Sequence, residues 1–117
     1  MIDEFLKLIM AKANTVMTVY YEEAPTNATF PYGVMTTFTV TPLDYGYNCI
    51  FDIELNTSEL SDTDLDAQCD NLRVALDGYR ARNSVCGFHV GYDSQLLSRQ
   101  TEQDLTMRRI TFSARIF

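Results

Sequence analysis

The stretch Asp104-Leu-Thr-Met-Arg-Arg-Ile-Thr-Phe-Ser-Ala-Arg-Ile-Phe117 changes character at every second position. Ile110, Phe112, Ala114 and Ile116 form an apolar row, and Met107, Arg109, Thr111, Ser113 and Arg115 form the row between them. A period of two marks a half-buried β-strand, with one face in a core and the other polar and arginine-bearing. Arg108 breaks the pattern, since it falls on the apolar side at the mouth of the strand. The closing segment therefore predicts a sheet with one covered face, and what its other face meets becomes the functional question.

Upstream, the pattern alternates between helix and strand. Ile2, Phe5, Leu6, Ile9 and Met10 stand at helical spacing behind Asp3, which predicts a short amphipathic helix ended by Asn14. Thr15 to Tyr21 is β-branched and aromatic and reads as a strand. A loop with two prolines runs to Gly33, followed by strands at Val34–Thr41 and Cys49–Leu55. A longer helix is expected from Thr57 or Ser58, with a capping box at Ser61-Asp-Thr-Asp64. Its apolar stripe is Leu65, Cys69, Leu72 and Leu76, and Gly78 is its C-cap. Tyr79 to Asn83 reads as a basic connector. Val85 to Leu97 reads as a bent strand, with Gly87 and Gly91 marking a bulge or close approach. Ser98 to Asp104 would turn into the last strand, pairing the final two as a hairpin. The order α-β-β-β-α-β-β predicts one α+β domain over residues 1–117, a mainly antiparallel sheet of about five strands packed with two helices.

Composition narrows the function. A net charge of −7 argues against a dedicated nucleic-acid binder, which needs clustered cations to neutralise phosphates. No basic start precedes an apolar core, and no run approaches the ~18 apolar residues of a membrane span. Cys49, Cys69 and Cys86 are odd in number and widely spaced, so they are expected as reduced core thiols rather than zinc ligands or a disulfide framework.

Chemistry is hard to place. His89 is the sole histidine and sits between Phe88 and Val90, so a structural role is expected of it. Asp62, Asp64 and Asp66 have the spacing that opens a calcium loop, but the sixth and twelfth positions hold Ala67 and Arg73 instead of glycine and glutamate. A helix start explains the same acids. Asp52 and Glu54 are expected on opposite faces of their strand, poorly placed to cooperate as acid and base. Neither a phosphate loop nor a nucleophile elbow occurs, so no enzyme, cofactor or metal is expected.

Surface is what remains. Phe30 and Tyr32 flank Pro31 on the expected loop, where binding residues concentrate. Arg109 and Arg115 share a strand face about 20 Å apart. Seven arginines against two lysines favours a protein seam, where arginine is enriched.

The assembled pattern resembles a family. A short helix is followed by Tyr20-Tyr-Glu-Glu-Ala-Pro25, then Phe30-Pro-Tyr-Gly-Val34 and the strand Ile50-Phe-Asp-Ile-Glu-Leu55. Next come an acid-led helix ending Leu76-Asp-Gly78 and the closing Arg108-Arg-Ile-Thr-Phe-Ser-Ala-Arg-Ile116. This order is similar to that of the tail terminator proteins of long-tailed bacteriophages and prophages, grouped with tail-completion, head–tail joining and minor capsid proteins. The chain departs from them in lacking a tryptophan in the third strand, where Phe51 offers comparable bulk.

The resemblance implies a structural virion protein of the tail or neck, held in the host cytoplasm before assembly. It implies a homo-hexameric ring that caps the tail tube, ends its polymerisation and meets the head connector, with DNA passing the pore without specific binding. Arg109 and Arg115 would form one patch of the ring seam and the acidic helix start, Glu59, Asp62, Asp64 and Asp66, the other, with Phe30 and Tyr32 as further contacts. A head-closure or neck connector role and an unrelated small acidic protein-binding module are the alternatives.

Overall fold

Ile2–Ala13 form helix α1, because Phe5, Ile9 and Ala13 recur every four residues and bury completely. Asp3 and Glu4 occupy its first turn and Lys12 its last, each complementing the helix dipole. The computed structural model describes residues 2–26, 32–57, 62–82, 87–100 and 105–117, with only the backbone described at 57, 62–65, 96–100, 105 and 106.

The strand expected from Thr15 begins at Val19, and Asn14 is the reason. Its Nδ2 donates to the carbonyls of Met10 at 2.7 Å and Val19 at 3.2 Å. Its Oδ1 accepts from the Val19 N–H at 3.1 Å. One carboxamide thus ends α1 and fixes where β1 (Val19–Tyr21) starts, while residues 15–17 turn between them.

The other strands are β2 (Tyr32–Pro42), β3 (Tyr47–Thr57), β4 (Arg80–Arg82), β5 (Gly87–Gln100) and β6 (Leu105–Ile116). They join in one sheet of order β1-β2-β3-β6-β5-β4. The β1–β2 pair is parallel and every other pair antiparallel. Helix α2 spans Asp62–Leu76 between β3 and β4. The molecule is an α+β fold with six strands among the described residues rather than five.

Several expectations move. Thr57 belongs to β3, and Ser58, with the Ser61 of the expected capping box, lies outside the described residues. Tyr32 opens β2 instead of lying on a loop. The basic connector contains β4. Residues 98–100 extend β5 instead of turning. The bulges fall between Tyr92 and Ser94 and between Met35 and Thr37, not at Gly87 or Gly91.

Both helices cover one face of the sheet. Phe5 meets Phe88 at 5.0 Å between ring centroids and Phe51 at 6.3 Å, both edge-on. Cys69, Leu72 and Leu76 of α2 bury in the same core. Beneath them lie Cys49, Phe51, Ile53 and Leu55 of β3 and Ile110, Phe112, Ala114 and Ile116 of β6. Losing any one of the buried phenylalanine rings would cost about 3–5 kcal/mol. Gly78 ends α2 at φ +79°, its N–H bonded to the Val90 carbonyl, as its place after the stripe predicts. Gly46, at φ +87°, turns β2 into β3 so close to β6 that a methyl there would stand 2.0 Å from the Ile116 carbonyl oxygen. No described helix is long and apolar enough to cross a membrane.

Candidate functional site

The second face of the sheet carries no described helix, and its residues follow from register. On β6 the outward row is Arg109, Thr111, Ser113 and Arg115, flanked on β3 by Glu54, Asp52, Ile50 and Asn48. Asp52 and Glu54, two residues apart on one strand, therefore share this face instead of lying on opposite ones. Cross-strand partners stand about 5 Å apart, close enough to decide what each side chain meets.

The two arginines that share this row have different fates. Arg109 donates through Nε and Nη2 to Oε1 of Glu54, at 3.1 and 2.5 Å. The Glu54 hydrogen bond holds its guanidinium above the ordinary arginine range. Thr111 donates to Oδ1 of Asp52 at 2.7 Å. The middle of this face is therefore satisfied within the chain. Arg115 is exposed, and its strand neighbours are Asn48 and His89. It has no carboxylate partner among the described residues.

His89 adjoins Arg80 of β4 on its other side, so Arg80, His89 and Arg115 make one row across three strands. Arg82 lies two residues along β4 on the same face. All three arginines and the histidine are exposed. Beside them the Phe117 ring lies over Gly87, where a methyl would sit 3.2 Å from the ring, and the ring is 56% exposed. Arg80, Phe88, His89, Arg115 and Phe117 line an open depression of about 490 Å³. His89, expected as a structural residue between Phe88 and Val90, thus points away from the core that those two neighbours enter.

The remaining sequence candidates scatter. Tyr32 is half-buried and packs edge-on against Tyr20 at 5.9 Å between centroids. Asp62 and Asp64 stand on the first turn of α2, with only their backbone described, and Phe30 and Glu59 lie outside the described residues. Asp66 pairs with Arg108, which is 9% exposed and whose Nε has no hydrogen-bond partner among the described residues. The arginine on the apolar side is thus neutralised from the helix layer.

The described groups offer no nucleophile or metal cage. Burial pushes the Cys49 thiol up to about 12. Burial and then the Asp70 charge push Cys69 up to about 11, so neither is a thiolate near neutral pH. Cys86 lies outside the described residues. Among the described residues no three His, Cys, Asp or Glu side chains converge. What the arrangement can do is hold anionic groups, through planar guanidinium forks beside an exposed aromatic ring.

Sequence reading reached Arg115 but missed Arg80 and Arg82. The available signal was the alternation Tyr79-Arg-Ala-Arg82, too short to separate from a turn.

Comparison with known proteins supplies the frame for this face. No family model and no curated protein sequence matches the chain. Among solved structures, the chain is similar to one from the virion of a native gene transfer agent (GTA) particle. The match has a TM-score of 0.68 at 17% identity and covers 93% of this chain and 84% of that one. At that identity the likeness is one of fold.

Proposed function

We propose that the chain is a structural virion protein that assembles as a six-fold ring, caps a tail tube, ends its growth and joins tail to head. The observation that carries the reading is the fold shared with a chain of the gene transfer agent virion over 93% of this sequence. The order of elements and the closing Arg108–Ile116 segment resemble those of tail terminators, which is the second support for this reading. Fold likeness alone would fit any use of an α+β sandwich, so the physical properties of the surface matter. A conduit for DNA must not retain it, and a chain of net charge −7 repels phosphate overall.

A ring needs two different, complementary patches on each subunit. Arg115 supplies a cation with no carboxylate partner among the described residues, on the sheet face that carries no described helix, and Arg109 stands on the same row with its charge held by Glu54. Asp62, Asp64, Asp66 and Glu59 belong to or precede the first turns of α2, and Phe30 and Tyr32 extend the contact surface. No catalytic role is assigned to any of them.

The test is imaging. Purified protein is mixed with assembled phage tail tubes and examined by negative-stain electron microscopy. Six-fold rings with a central hole, seated on tube ends and halting elongation, are the expected result. Rings that ignore tube ends but bind portal–adaptor complexes would move the protein to the neck as a head-closure component. A chain that forms no ring alone or on tubes would overturn the reading.

A further inference from the structure

This end of the sheet concentrates cations that no described carboxylate neutralises. Arg73, Arg108 and Arg109 each have a carboxylate in reach, from Asp70, Asp66 and Glu54. Arg80, Arg82 and Arg115 have none among the described residues, and they cluster around His89 and Phe117. Sixteen acids are available in this chain, so unmatched arginines gathered at one place call for a partner outside the fold.

The opposite side of the molecule carries the complement. Helix α2 turns Cys69, Leu72 and Leu76 into the core, which leaves Asp70 and Val74 on its solvent side beside Asp66, whose charge is shared with Arg108; past the helix end Asp77 accepts from the Tyr92 N–H at 3.0 Å. Val74 is 72% exposed, an apolar centre among acids, just as Phe117 is an apolar centre among arginines. Asp70 is held only loosely, 3.8 Å from Arg73.

We propose that the Arg80–His89–Arg115 row, with Arg82 and Phe117, is the socket for the Asp70–Val74 face of helix α2 in a second copy of this chain. The two patches lie on opposite faces of the sandwich. A contact between them is therefore head-to-tail rather than two-fold, the kind of contact that closes into a ring. Arginine forks on carboxylates around an apolar pair give that contact both direction and affinity. The inference deepens the ring reading above and rests on it, while moving the cationic half of the seam from Arg109 to the β4 edge.

The experiment uses two variants of the full chain. One is Arg80→Glu with Arg115→Glu, and the other is Asp70→Arg with Val74→Arg. All four positions are exposed or half-buried at the surface, and unchanged circular dichroism and melting establish that each variant folds. Association is read by sedimentation velocity, and on tail-tube ends by electron microscopy. The wild type is expected to associate in a salt-sensitive way, and each variant alone to lose self-affinity by at least about 100-fold. A 1:1 mixture of the two is expected to regain association, because each supplies the charge that the other now needs. Rings that persist in both variants leave the ring standing and overturn this seam. Variants that fail alone and also fail when mixed overturn the pairing of these two patches. A wild-type chain that is monomeric to roughly 1 mM and forms no ring on tubes removes the ring reading itself.

Discussion

Arg108 shows how one residue can look misplaced in a sequence and be explained by its neighbours. A cation at an inward position of β6 would be costly if isolated, and Asp66 of α2 removes most of that cost. Because the Asp66 carboxylate is itself 55% exposed, solvent screens the pair, and its worth falls well below that of a fully buried one. Replacing Asp66 with Asn should destabilise the fold by about 1–2 kcal/mol, leaving a nearly buried guanidinium short of its counter-charge. Replacing both partners, Asp66→Ala with Arg108→Met, should return stability to near that of the wild type, since an apolar chain suits the site. Urea denaturation of the three proteins decides it. A double variant less stable than Asp66→Asn alone would mean that Arg108 contributes something beyond this pair.

At the scale of elements, legibility followed pattern length. β6 is twelve residues long, and its inward and outward rows from Met107 to Ile116 are readable from the period of two. α1 is readable for the same reason, through a helical spacing that includes the completely buried Phe5 and Ile9. β4 offers three residues, too few for periodicity to rise above a turn, and with it went most of the cationic row. β1 failed differently. Thr15 to Tyr21 has strand composition throughout, yet the side chain of Asn14 claims both backbone groups of Val19 and turns the residues before it away from the sheet. Local hydrogen bonding overrode propensity there. A bulge or a close approach is expected at Gly87 and Gly91, but the extra residues in the ladders are Thr36 and Asp93. The Asn14 clamp carries its own prediction. Asn14→Ala removes its side-chain hydrogen bonds at the α1–β1 junction and should lower stability by about 1–2 kcal/mol, with β1 losing amide-exchange protection before β3 and β6. Equal protection at β1 in both proteins would show that the parallel pairing with β2 holds β1 without the clamp.

For the whole molecule, the charge distribution sets two competing expectations about DNA, and their magnitudes separate them. The excess of acid over base, −7 in total, repels a polyanion, while Arg80, Arg82 and Arg115 form a local site that attracts one. Each phosphate neutralised adds about 0.9 to the slope of log affinity against log salt. The three arginines without a carboxylate partner among the described residues therefore allow a slope of about −3, against about −10 for a repressor that grips its operator. Three contacts supply too little binding to survive physiological ionic strength, where the long-range repulsion is screened but the short contacts also weaken. Fluorescence anisotropy with a labelled duplex should accordingly show weak association at about 20 mM salt and none at about 150 mM. Arg80→Glu with Arg115→Glu should abolish even the weak component. A dissociation constant below about 1 μM at physiological salt, or a slope steeper than about −6, would show that the arginine row is a nucleic-acid grip and not a seam between copies. The expected outcome fits a subunit whose cations are turned to protein carboxylates while its bulk charge lets DNA pass.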